Sequence, residues 1–183
     1  MKKKLLMVIG ILFIGVILYL AYNYIYPASP LQTVTYESGD VTYEVKYSRP
    51  FKNGRIIFGS EDDGALVPFG KYWRTGANAA TTFSTTKDIL IEGNLLKAGK
   101  YRLYTVPGEE KWEVFVNSEA DTFFAIKEPD SAKDLMSFTV PTQQLKETVE
   151  QFTIDFITSP PDGSSPEGLR LRWDLTQIEI QFN

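Results

Sequence analysis

The run from Leu5 to Tyr22 holds no charged residue, and Lys2, Lys3 and Lys4 stand directly before it. At 1.5 Å per residue, about 20 apolar residues cross the hydrocarbon core of a bilayer. Lysines flanking such a run stay on the cytoplasmic side. The chain therefore reads as a transmembrane anchor over 1–22, a tether over 23–32 carrying Pro27 and Pro30, and an exported domain over 33–183. A secretory signal has a shorter apolar stretch and a small-residue cleavage site. The exit here, Tyr22-Asn23-Tyr24-Ile25-Tyr26-Pro27, looks instead like an interfacial aromatic belt. An uncleaved single span through Leu5–Tyr22 is expected, with the lipid bilayer as partner and the domain on the periplasmic or extracellular side. Cleavage beside Ala28 is the alternative.

Composition narrows the chemistry of the delivered domain. The net charge is −4, and setting aside the three leading lysines leaves −7. An acidic domain without a basic cluster argues against nucleic acid as a partner. The chain has no histidine and no cysteine. That removes the usual general base, the Ser-His-Asp arrangement, most zinc or copper sites, and disulfide staples. No metal or cofactor is expected. Glu61-Asp62-Asp63-Gly64 lacks the alternating ligand spacing of a calcium loop and reads as a solvated turn.

After the tether, apolar residues alternate with polar ones. Val41, Tyr43, Val45 and Tyr47 share one face; Trp112, Val114 and Val116 another. Phe152, Ile154 and Phe156, then Leu169, Leu171, Trp173 and Leu175, then Ile178, Ile180 and Phe182 repeat the pattern. Such period-2 runs are strands with one buried face. Reversals at Glu92–Leu95, Lys97–Lys100 and Pro107–Glu110 and a longer loop over Pro160–Pro166 separate them. The best helix candidate after the anchor is a turn or two near Gln143–Glu150. The fold class is all-β: an antiparallel β-sandwich or jelly-roll-like domain behind one N-terminal transmembrane helix. Its core is expected at Val45, Tyr47, Trp112, Val114, Phe152, Ile154, Leu171, Trp173 and Ile180.

One segment departs from a plain sandwich. If Lys71–Asn78 is extended, Tyr72, Arg74, Gly76 and Asn78 lie on one face. Arg49 falls on the face of Val41, Tyr43, Val45 and Tyr47. A buried arginine must be paired. Arg49, Arg55 or Arg74 then either pairs with an internal acid or with loop carbonyls and fixes the fold, or offers a guanidinium fork to a carboxylate, phosphate or sugar hydroxyl. In the second case Asn78, Thr81 and Tyr72 add hydrogen bonds, and Trp73 or Tyr72 a stacking face. The candidate ligand-binding residues are Arg49, Arg55, Tyr72, Trp73, Arg74, Asn78 and Thr81; no catalytic residue stands out.

The run Leu66-Val67-Pro68-Phe69-Gly70-Lys71-Tyr72-Trp73-Arg74-Thr75-Gly76-Ala77-Asn78-Ala79-Ala80-Thr81-Thr82 resembles the signature of the domain of unknown function 2911 family. Ala98–Gly108, Trp112–Asn117, and Tyr47-Ser48-Arg49-Pro50 with Gly54-Arg55 resemble it too. The resemblance implies a bacterial envelope or secreted domain and supplies no catalytic residues. Three function classes stay open: a module binding a small polar or glycan ligand, a structural or protein-interaction module of the envelope, and a carboxylate-dependent hydrolase.

Overall fold

The computed structural model describes residues 2–120, 125, 127–158 and 166–182. Helix α1 spans Lys2–Ile25, and every described side chain on it is exposed. Among the described residues no helix is long and apolar enough to cross a membrane. The stretch Leu5–Tyr22 includes Leu5, Leu6 and Val8, whose side chains lie outside the described ones.

The regular structure of the remaining described residues is β, apart from one 3₁₀ turn over Ser131–Lys133. In order come β1 (Leu31–Ser38), β2 (Val41–Ser48), β3 (Phe58–Gly59), β4 (Val67–Pro68), β5 (Thr81–Thr85) and β6 (Ile89–Ile91). Then follow β7 (Asn94–Leu96), β8 (Gly99–Val106), β9 (Lys111–Asn117), β10 (Asp134–Pro141), β11 (Gln143–Thr158) and β12 (Pro166–Gln181). A six-stranded antiparallel sheet runs β1-β2-β5-β8-β9-β10. Against it packs the long antiparallel pair β11–β12. β6 and β7 form a hairpin whose turn, Glu92-Gly93, has both φ values positive (48° and 74°), as a two-residue hairpin turn needs. β3 and β4 make one short parallel ladder.

Strand β1 starts at Leu31, inside the expected tether, and Arg49 N donates to Pro30 O at 2.8 Å. The free connection from helix to domain is therefore shorter than 23–32. The expected core residues are all buried between the sheet and the β11–β12 layer. The helix expected near Gln143–Glu150 is strand instead, the first half of β11. Its charged and polar residues face water on a strand edge, which imitates a short surface helix in composition. The expected loop over Pro160–Pro166 lies outside the described residues, apart from Pro166, which opens β12.

β12 has 16 residues. Extended, it would hold its ends about 50 Å apart. Yet Phe182 N donates to Glu167 O at 2.6 Å. The chain must double back, and Asp174, at φ 54°, lies midway. This fold-back explains a change of phase in the sequence. Leu169, Leu171 and Trp173 are buried, Leu175 at the bend is exposed, and burial resumes at Ile178 and Ile180. The two alternating runs are thus the arms of one element.

Because α1 leaves the core untouched, removing it should not unfold the domain. Residues 29–183 are expected to give a β-dominated far-ultraviolet circular dichroism spectrum. Their melting temperature should lie within a few degrees of the full chain's. A helical or unfolded spectrum would refute an independent domain.

Candidate functional site

The chain between β4 and β5 is not extended. Trp73 exchanges backbone hydrogen bonds with Thr105 on β8 (2.8 and 3.0 Å), and the strand-like path ends there. Thr75, Gly76 and Asn78 then take φ values of 56°, 149° and 58°. At Gly76 the backbone runs so close to β2 that a Cβ would sit 2.9 Å from Ser48 O. Only glycine tolerates both that φ and that approach. Thr81 Oγ1 donates to Thr75 O at 2.6 Å, and the Thr75 and Thr105 hydroxyls meet at 3.0 Å, so the turns are pinned from inside. The shared face expected for Tyr72, Arg74, Gly76 and Asn78 does not form.

What forms is a cavity of about 390 Å³ beside these turns. Arg55, Trp73, Arg74 and Asn78 line it, with Asn53, Leu66, Trp173 and the tether residues Ala28 and Ser29. Asn53 and Gly54, at φ 48° and 69°, make the tight turn that presents Arg55. Among the described residues no aspartate or glutamate lines the wall. Four of the seven candidate residues are thereby brought together by two separate connections, β2–β3 and β4–β5.

The arginines divide by what holds them. Arg49 is half-buried away from the cavity; its Nε donates to Phe152 O at 3.1 Å and its Nη2 to Thr153 Oγ1 at 2.9 Å. It ties β2 to β11 and braces the fold. Arg55 is exposed; its Nε reaches Lys52 O at 2.9 Å, and its Nη2 reaches Phe51 O. These bonds hold one edge of the guanidinium and aim it. Arg74 makes a single long contact, Nη1 to Asn78 O at 3.4 Å, and no ion pair among the described residues. Its charge faces the cavity nearly unspent.

Trp73 is buried and donates from Nε1 to Gly76 O at 3.1 Å. It stacks on Trp173 at 5.9 Å and 19° and meets Phe58, Trp112 and Phe152 edge-on or tilted. Both indoles close the cavity floor. With 7% and 1% of Trp73 and Trp173 exposed, neither offers a broad stacking face to a sugar. Thr81 is fully buried and serves the turn.

Tyr72 points elsewhere, into a second polar cluster on the opposite side of the sheet. Arg102 on β8, 1% exposed, donates from Nη2 to the Tyr72 hydroxyl and to Lys127 O at 3.2 Å, and its Nε has no partner among the described residues. The Tyr72 hydroxyl donates to Ala125 O at 3.2 Å. Nearby, the Tyr104 hydroxyl donates to Asp134 Oδ2 at 2.8 Å, and Asn117 Nδ2 to Asp134 Oδ1 at 2.7 Å. Burial pushes the Tyr72 phenol up, against the pull of Arg102. Burial, and then Asp134, push Tyr104 up as well. Both stay protonated donors at neutral pH. Alternation alone did not mark Arg102, because β8 is covered on both faces and reads as a plain central strand. Asn53 and Leu66 were not marked as site residues, and Trp173 was marked only as core; the fold alone brings their segments to the cavity.

Another cavity, of about 320 Å³, lies at the bend of β12 and is lined by Phe58, Phe69, Glu109, Gln144 and Asp174 among others. Asp174 there is neutralised by Lys52 at 2.5 Å. Among the described residues no group of three acids is placed to hold a metal ion.

A family model described as "Protein of unknown function (DUF2911)" matches residues 29–182. No curated protein and no solved structure matches the chain.

Proposed function

Because the chain belongs to the family described as protein of unknown function DUF2911, whose description assigns no activity, we infer the function from the cavity's own chemistry. We propose that the domain is a membrane-anchored, exported two-layer β-sandwich that binds a small anionic, polar ligand between Arg55 and Arg74. The observation that carries this is the acid-free wall of the cavity, with Arg74 nearly unpaired on it. A guanidinium held by no carboxylate suits a phosphate, sulfate or carboxylate group. Asn53 and Asn78 add neutral donors and acceptors, and Leu66 and the indole floor exclude water from one side. An acid-free wall supplies no general acid or base, so a carboxylate-dependent hydrolase finds no support in this cavity. The anchor is supported by the exposed apolar side chains all along α1, which a bilayer would cover.

A structural role is the second reading. It is favoured by Arg49 and Thr81, which spend hydrogen bonds on another strand and another loop, and by Arg55, which spends its own within its loop. Arg74 separates the two. In the binding reading, Arg74→Ala loses one weak contact and should cost under about 1 kcal/mol. Phosphate, sulfate or a small carboxylate should raise the melting temperature of the full-length wild type in neutral detergent, and not that of the variant. Neutral oligosaccharides should have little effect. A loss of roughly 3–5 kcal/mol in Arg74→Ala, with no anion shifting the wild type, would establish the structural reading.

A further inference from the structure

The cavity lies beside the chain that leaves the helix. α1 ends at Ile25, and Ala28 and Ser29 already form part of the cavity wall. Three residues reach at most about 10 Å. The headgroup zone on each side of a bilayer is roughly 5–8 Å deep. With the helix in a membrane, the cavity therefore stands at the level of the lipid headgroups. Tyr22 and Tyr26, paired at 5.2 Å near the helix end, suit that interface.

The cavity rim has the matching chemistry. Leu66, 45% exposed, lines the cavity, and Ile56, 53% exposed, sits beside it through the bond from Leu66 N to Ile56 O at 3.0 Å. Large apolar side chains next to Arg55 and Arg74 combine shallow insertion with phosphate pairing. The domain as a whole, at −7, is repelled by an anionic surface. Attraction is thus confined to the acid-free cavity, which would orient the domain with this face down. We propose that the cavity seats the phosphate of an anionic phospholipid from the bilayer that holds α1. This rests on the anion-binding reading above and names the source of the anion.

The test uses the full chain in nanodiscs of phosphatidylcholine alone or with an equal share of phosphatidylglycerol. Amide hydrogen exchange is followed over residues 53–56 and 74–78. At about a factor of five per arginine near the surface, two arginines should slow exchange roughly 30-fold in the anionic discs. Arg74→Gln should keep only about fivefold, and Leu66→Asn should weaken the effect without removing it; unchanged melts in phosphatidylcholine discs would show that both variants fold. Detergent-solubilised protein with inorganic phosphate supplies the other arm. Protection by soluble phosphate with no difference between the two discs would overturn the headgroup source and leave the anion cavity standing. No protection in either arm would remove both readings. A disc difference that persists undiminished in Arg74→Gln would assign it to diffuse surface charge and reject the site.

Discussion

Trp173→Ala is expected to lower the stability of the domain by about 3–5 kcal/mol, the usual range for deleting a large buried aromatic. Trp173 is 1% exposed and sits where the two layers meet. It stacks on Trp73 and contacts Phe58 and Phe152 at 6.1 and 5.8 Å. The cluster is built from β3, β11, β12 and the turn after β4, so no single element can close over the void. A domain of this size has roughly 5–15 kcal/mol in all. At about 2–4 °C per kcal/mol, the melting temperature should fall by ~10 °C or more. The same change opens the cavity floor, so anion-induced shifts should vanish as well. Trp173→Phe, which keeps an aromatic ring, should lose less on both counts. A melt of Trp173→Ala within about 3 °C of wild type would mean that the indole is not the joint between layers.

The core was legible in the sequence because a strand with one wet face writes its burial as strict alternation. Val45, Tyr47, Trp112, Val114, Phe152 and Ile154 followed from that rule alone. Alternation fails wherever the chain bends or is covered twice. At Asp174 the phase slips, and the sequence read two strands where one element doubles back. On β8 both faces are covered, so Arg102 was hidden among apolar neighbours. Lys71–Asn78 misled for a different reason. Its side chains alternate acceptably, and only Gly76, which cannot be replaced at φ 149° beside Ser48 O, signals that the backbone turns. The candidate site was half legible: the unusual arginines and asparagine were visible as residues. Which of them share a space was not, because Asn53–Arg55, Leu66 and Arg74–Asn78 meet through long-range packing. The division of labour between Arg49, which braces, and Arg74, which faces the cavity, depends on carbonyls that no local pattern reports.

Gly168→Ala should be at least as damaging as the loss of Trp173, for a backbone reason. A Cβ at Gly168 would fall 2.1 Å from Ile180 O, 3.1 Å from its carbonyl carbon and 3.2 Å from Gln181 Cα. All three are main-chain atoms, so no rotamer change relieves the overlap. The two arms of β12 would have to part. That breaks the Phe182–Glu167 hydrogen bond and loosens Leu169, Ile178 and Ile180, all fully buried. It also strips Phe182 from its stack on Tyr43 at 5.8 Å and 14°. Backbone strain and opened packing together place the cost at roughly 4–5 kcal/mol, the range reached by few single substitutions. Gly39→Ala is the matched control: φ is 58° there, but the added methyl meets nothing within 4 Å. Its cost is the left-handed backbone alone, about 1 kcal/mol. Chemical denaturation of the two variants side by side separates conformational strain from steric overlap. If Gly168→Ala is no worse than Gly39→Ala, the arms of β12 do not approach as described, and the fold-back at Asp174 is wrong.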